Sequence, residues 1–382
     1  MSSGRDLRFM RMALDLAARA RGRTLPNPMV GAVVVRSGRV VGRGWHSKAG
    51  RPHAEALALA RAGAAAKGAT LYVSLEPCSH TGRTPPCTEA ILKAGIRRVA
   101  ASMVDPDPRV RGRGLKILQR RGIRTSVGLL EREARLLNEP FITRVGRGRP
   151  LVTLKLAQSL DGRIAPAAAH QRRGTSSAAG TVPPRSRGGR SRWISGPAAR
   201  RWAHRLREKN DAVLVGVNTV LADNPRLKRP IRVILDSKLR TPPNARLFAS
   251  GAPVWIAAAR GASRQRELRL REAGAEVLRF SGEKGRVPFR AVLRELARRG
   301  VSRLLIEGGG EVAASALKAR AVDRAAWVIA PKIFGGGKSV AAVGDLGVRS
   351  PDGAVRLEKV QVRRLGRDWL MTGEVCAVHR NR

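Results

Sequence analysis

The chain has 382 residues, enough for two or three domains, and 43% are apolar, so each domain can bury a core and disorder throughout is excluded. Its formal net charge of +47 predicts attraction to phosphate, in a nucleic acid, a cofactor or a metabolite, while 3% aromatics disfavour a dedicated single-strand binder. Three cysteines exclude a disulfide scaffold, no run of 18 apolar residues marks a membrane span, and no signal-peptide run precedes Arg11, so a reducing cytoplasm is the expected compartment.

Leu7, Met10, Leu14 and Ala17 recur at helical spacing and predict a helix over 6–20, which Pro26-Asn27-Pro28 breaks. The Val-rich runs 30–35 and 40–45 flank Ser37-Gly38 and read as a hairpin. Residues 53–62, rich in Ala and Leu, predict a helix. Strands are expected over 71–75 and 99–104, and helices over 88–94, 114–121 and 129–144. Gly146-Arg147-Gly148-Arg149-Pro150 reads as a linker between one domain at 1–146 and another at 150–380. The second block predicts strands at 151–156, 212–217, 231–235, 254–258, 276–280, 303–306, 325–330, 357–365 and 369–375. Helices over 198–209, 263–273, 289–299 and 311–319 fall between them, so both blocks are α/β. Residues 163–190 do not fit. They hold six Arg, four Gly, three Pro and no acidic residue, and read as a flexible basic insert. Cys376 is expected in a strand, as a core residue.

In the first block Pro52-His53-Ala54-Glu55 opens a helix, and Glu76-Pro77-Cys78 leads through Ser79-His80 to Pro85-Pro86-Cys87. His53, Cys78 and Cys87 can supply three ligands to a tetrahedral Zn²⁺ and leave one position for water, the pattern of a catalytic rather than a structural site. Glu55, two residues on from His53, is placed to take a proton from the activated water and pass it to a leaving amine. Two of three cysteines in one Pro-rich window argues against their being ordinary buried thiols. H-x-E followed by P-C matches the zinc nucleobase deaminase signature, but the second cysteine comes nine positions after the first instead of three.

That longer spacer resembles the riboflavin-biosynthesis deaminases, whose ligand loop has the form C-S-H-x-G-R/K-T-P-P-C and fits residues 78–87 throughout. Pro26 to Ala32, Gly44-Trp45-His46, Ala101 to Pro108 and Gly112-Arg113-Gly114 resemble the same family. Leu154 to Gly162, Ser191-Arg192-Trp193-Ile194-Ser195, Gly216 to Pro225 and Glu307-Gly308-Gly309-Gly310 resemble its reductase half. The resemblance implies an N-terminal cytidine-deaminase-like α/β/α domain and a C-terminal dihydrofolate-reductase-like α/β domain. It implies zinc-dependent removal of an amino group from a phosphoribosylaminopyrimidine, then NADPH-dependent reduction of the ribosyl to a ribityl chain. Asn27, His46 and His80 would line the pyrimidine pocket. Trp193, Thr219, Asp223, Ser237, Gly309, Gly310, Glu311, Val312, Ala313, Ala314 and Ser315 would contact NADPH. Ser191, Arg207, Leu227 and Glu307 would contact the phosphorylated substrate, with Arg207 placed for bidentate bonds to its phosphate. A homo-oligomer through the reductase half is also implied.

The glycine triplet has its own rationale, since glycines admit a phosphate and a helix start offers free N–H groups. Two departures from the family stand out. The insert separates Gly162 from Ser191, and Pro225 to Pro230 is short, so Arg229 stands two rather than three residues after Leu227, which puts its contact with substrate phosphate in doubt. Two rival readings therefore stay open: a zinc deaminase of nucleic-acid bases, suggested by the charge, and a deaminase whose reductase half is inactive.

Overall fold

The computed structural model describes residues 4–24, 26–81, 85–166, 193–227, 231–282 and 285–376. The chain divides into two compact units with the boundary between Arg149 and Pro150, and Gly300–Ser302 group with the first. Among the described residues no helix is long and apolar enough to cross a membrane.

In the first unit β1 (Gly31–Arg36), β2 (Arg39–Trp45), β3 (Thr70–Val73), β4 (Arg98–Ala101) and β5 (Arg124–Val127) form one sheet in the order β2-β1-β3-β4-β5. β1 is antiparallel to both its neighbours, whereas β3, β4 and β5 run parallel. The sheet separates two apolar layers, which is why β1 is an unbroken apolar run rather than an alternating one. Ala32 and Val34 face α2 (Ala54–Ala62), α3 (Cys87–Lys93) and α4 (Arg113–Arg120); Val33 and Val35 face α1 (Gly4–Ala18) and α5 (Glu131–Arg147). α2 begins hard against β2. A Cβ on Gly44 would stand 2.5 Å from the Ala54 carbonyl oxygen, so only glycine lets the helix start approach that closely.

The second unit holds a nine-stranded sheet built from β6 (Leu151–Gln158), β8 (Ala212–Gly216), β9 (Ile231–Leu235), β10 (Val254–Ala259), β11 (Ala275–Phe280), β12 (Arg303–Glu307), β13 (Arg324–Ile329), β15 (Leu357–Leu365) and β16 (Asp368–Val375). Their order is β11-β10-β9-β8-β12-β6-β13-β16-β15. The strands are parallel as far as β13, and the last two pairings, β13 with β16 and β16 with the edge strand β15, are antiparallel. The helices are α6 (Pro197–Glu208), α7 (Val217–Asp223), α8 (Arg264–Glu272), α9 (Phe289–Arg298) and α10 (Gly310–Lys318). Parallel strands end their C-termini at one edge of the sheet, and ligand clefts form there. Here a cavity of about 2150 Å³ opens at the ends of β6, β8, β9 and β12.

Several expectations need correction. Arg163–Ala165, read as the start of the insert, form β7, which pairs antiparallel with β14 (Val340–Ala341). The rest of the insert, 167–190, lies outside the described residues. β5 was not expected because Arg-Thr-Ser-Val offers one apolar residue and sits at a sheet edge, where no apolar run is needed. α7 was missed as well, being a seven-residue helix entered directly from a strand. Cys376 is buried as expected but lies one residue beyond β16 rather than within it.

Candidate active sites

The first unit gathers His53, Cys78 and Cys87 with their ligand atoms all within 4.8 Å of one another. His53 caps α2 in extended conformation, and Cys87 is the first residue of α3 after Pro86. The His53 Nδ1 lies 3.2 Å from Cys87 Sγ and 3.5 Å from Cys78 Sγ. Ligands about 2.0–2.3 Å from a tetrahedral zinc stand about 3.5 Å apart, so the donor set and its spacing fit that ion. The start of α3 also turns toward Cys78: the Cys87 N–H donates to its sulfur at 3.4 Å and the Thr88 N–H to its carbonyl at 3.2 Å. The hydrogen bond from Cys87 draws the Cys78 thiol well below its usual range, and the same bond, with burial, pushes Cys87 up. His53 is raised, first by its bond to Cys78.

Glu55 lies in the first turn of α2 and is 3% exposed. Burial, then the neighbouring Cys78 charge, raises its carboxyl to about 7. A carboxyl near neutrality can both take and give a proton, as a deaminase relay requires. His46 is buried, and its Nδ1 faces the Pro52 carbonyl at 3.2 Å while Nε2 lies 3.0 Å from the Asn27 amide nitrogen. The Pro52 carbonyl accepts from Nδ1, so Nε2 accepts from Asn27. The His46 ring meets the His53 ring edge-on, at 5.4 Å between centroids. Asn27 and His46 thus brace the loop that delivers His53. His80 is exposed and outside the cluster; its electrostatic neighbour is Asp107. Residues 82–84 of the ligand loop lie outside the described residues.

In the second unit the cavity at the strand ends is lined by Trp193, Arg207, Thr219, Asp223, Leu227, Ser237, Glu307, Gly309, Gly310, Glu311, Val312 and Ser315. Ala313 and Ala314, expected at the cofactor, are buried and are not among the residues that line the cavity. Gly309 caps α10, and its N–H donates to Thr219 Oγ1 at 3.3 Å, which ties the glycine turn to α7. Arg207 does not offer a free fork: its Nε donates to Glu307 Oε2 at 2.5 Å. Ser237 Oγ accepts from the Val287 N–H at 3.2 Å. Trp193 is half exposed, with Arg200 over its ring at 5.1 Å. Ser191 and Arg229 lie outside the described residues.

Two buried ionisable residues escaped the sequence reading. Lys155 lines the same cavity from β6, with Nζ 3.7 Å from Glu307 Oε1. Burial lowers its ammonium pKa, which Glu307 opposes. The available signal was a lysine inside an apolar strand. Asp105 is buried in the first unit and raised to about 7, first by burial and then by Asp107. A carboxylate between Val104 and Pro106 carried that signal.

Two family models match the chain: the cytidine and deoxycytidylate deaminase zinc-binding region over residues 3–103 and the RibD C-terminal domain over residues 150–371. The riboflavin biosynthesis protein RibD of Aquifex aeolicus is 42% identical over 374 residues, spanning 96% of this chain and 97% of that protein. The Escherichia coli RibD is 40% identical over 350 residues, 86% of this chain and 89% of its own length. Among solved structures, Acinetobacter baumannii RibD superposes with a TM-score of 0.82 at 33% identity, covering 97% of this chain and 99% of that one. A Thermotoga maritima structure described as a diaminohydroxyphosphoribosylaminopyrimidine deaminase/5-amino-6-(5-phosphoribosylamino)uracil reductase gives 0.75 at 34% identity, with the same coverage.

Proposed function

The chain belongs to the RibD family of bifunctional deaminase–reductases in riboflavin biosynthesis, and from that premise we propose how its two units divide the work. The first unit hydrolyses the ring 2-amino group of 2,5-diamino-6-(5-phosphoribosylamino)pyrimidin-4(3H)-one. The second reduces the ribosyl chain of the resulting uracil to ribityl. The observation that carries this reading is the His53–Cys78–Cys87 cluster with a buried, near-neutral Glu55 beside it.

His53, Cys78 and Cys87 hold zinc, which when bound activates water for attack on the pyrimidine. Glu55 takes up a proton and delivers it to the departing amine. Asn27 and His46 fix the His53 loop and would border the ring, and the exposed His80 would reach the substrate from the ligand loop. In the second unit Thr219, Asp223, Ser237, Trp193 and the α10 start hold NADPH, which supplies the hydride. The glycine turn at 308–310 would let the phosphates approach the first turn of α10. Glu307, Arg207 and Leu227, with Ser191, hold the substrate.

The outer face of β13, β16 and β15 supports a homo-oligomer through this unit. Trp327 and Met371 are direct partners across β13 and β16, Val362 continues the row on β15, and Trp369 and Val362 are about half exposed. Thiolate ligands favour a reducing compartment, and we place the enzyme in the cytoplasm.

The test is a paired assay on the zinc-loaded chain, following ammonia release and NADPH absorbance together. Both signals are expected, with NADPH consumed only after deamination. Ammonia without NADPH loss would leave the reductase half inactive, and neither signal would turn the +47 charge toward a nucleic-acid substrate.

A further inference from the structure

Glu76 stands two residues before Cys78, is 3% exposed, and has no part in the chemistry described so far. Its Oε2 accepts the N–H groups of Asp105 at 3.1 Å and Gly112 at 2.8 Å. Its Oε1 accepts those of Gly114 at 3.0 Å and Leu115 at 3.4 Å. Its own N–H donates to the Met103 carbonyl at 3.0 Å. One side chain thus closes the turn at Asp105 and caps α4. A carboxylate suits this place because it has two oxygens and no hydrogens when ionised. Glutamine would offer one oxygen, and its amide would face two N–H groups it cannot accept.

The far side of the clamp is equally tight. A Cβ on Gly114 would stand 2.0 Å from the Pro77 carbonyl oxygen, so the start of α4 presses on the residue between Glu76 and Cys78. Cys78 is held from its other side by the N–H groups of α3. Asp105 takes the Asp107 N–H on Oδ1 at 2.8 Å and lies within Coulombic reach of Cys78.

We propose that Glu76 is a positioning residue of the deaminase: by binding four backbone N–H groups of the 105–115 segment it fixes Cys78 and the Asp105–Asp107 turn at one spacing across the site. This rests on the reading of His53, Cys78 and Cys87 as metal ligands. It couples Cys78 to the 105–115 segment, so that loosening the clamp disturbs ligand geometry without removing a ligand.

The experiment uses the full chain loaded with Co²⁺, whose visible bands report the geometry of thiolate ligands, together with both activities. Absence of thiolate–cobalt bands in the parent chain would overturn the metal reading itself. With that reading secure, Glu76→Gln should bind one cobalt, shift or weaken the bands, and lower kcat for ammonia release about 10- to 100-fold, while NADPH-dependent reduction is kept. Gly114→Ala leaves Glu76 intact and pushes Pro77 from the α4 side, so it should give the same spectral change and the same selective loss. Glu76→Gln that fails to fold leaves Gly114→Ala to decide. Parent-like bands and parent-like ammonia release in the folded variants overturn the proposal. So does parallel loss of both activities, or failure of both variants to fold, since Glu76 would then support the fold generally.

Discussion

Replacing Glu307 with Gln should unbalance the cationic floor of the second cleft, and the structure sets the size of the effect. Glu307 is 6% exposed at the end of β12, bonded to Arg207 Nε at 2.5 Å and 3.7 Å from Lys155 Nζ. A unit charge pair at that range is worth about 4 kcal/mol at an effective dielectric of 20. Removing one member of a buried pair costs about 3–5 kcal/mol, because the other is left uncompensated. Lys155 has an escape, however. Burial already holds its ammonium below the ordinary 10.5, and without Glu307 the pKa falls further, so the amine can shed its proton.

The cost is therefore pH-dependent. A group whose folded pKa is depressed contributes stability that is full above its unfolded value and is lost as pH falls through the folded one. Glu307→Gln deepens that loss for Lys155. Denaturant unfolding should find a deficit of about 2–4 kcal/mol near pH 6 that shrinks near pH 10. Adding Lys155→Met should recover about 1–3 kcal/mol near pH 6, as expected for residues in contact. NADPH consumption should fall while ammonia release is kept. A deficit that ignores pH, or a double variant whose costs simply add, would refute the reasoning.

Three further outcomes are expected. Glu55→Gln keeps the ligand set, so metal analysis should find zinc retained while ammonia release drops about 100-fold or more, the usual loss for a general acid–base. Gly308 has φ +133°, and a Cβ there would stand 2.7 Å from Thr219 Oγ1; Gly308→Ala should weaken NADPH binding about 10- to 100-fold by fluorescence titration, in line with strain of about 1–3 kcal/mol. Asp6 is held below its ordinary 3.8, first by Arg98, which donates to both its oxygens. Its stabilisation is complete above that value and lost as pH falls through the folded pKa, so Asp6→Asn should cost about 1–3 kcal/mol near neutrality, and the deficit should shrink as pH falls below 3.8, read by thermal unfolding.

The His53–Cys78–Cys87 cluster was legible because its chemistry is written in residue types that are scarce here. Three cysteines and six histidines in 382 residues make H-x-E and a Pro-flanked cysteine pair stand out. The strands β1 and β12 were legible for a different reason: buried on both faces, they need unbroken apolar runs. Edge elements such as β5, β7 and β14 have no such need, and periodicity passes over them. The buried ionic residues were hidden by abundance. In a chain with 75 Lys and Arg, one more lysine in β6 carries little information until a carboxylate is seen opposite it.

The charge itself becomes intelligible only with the acidic residues placed. Glu267 is shared among Arg264, Arg271 and Arg279, Glu295 between Arg298 and Arg299, and Glu307 between Arg207 and Lys155. Each carboxylate thus neutralises only part of the cationic charge around it, and the surplus stays where the fold puts it. Lys238, Arg240, Arg246 and Arg286 line the same cavity as the glycine turn. Two ligands that each carry phosphate would have to be held there together for hydride transfer. Composition could announce a phosphate partner without naming it, since the same total charge spread over an outer face would have fitted a nucleic acid as well. What favours small phosphorylated ligands is the concentration of cations around a walled cavity at the C-terminal ends of parallel strands.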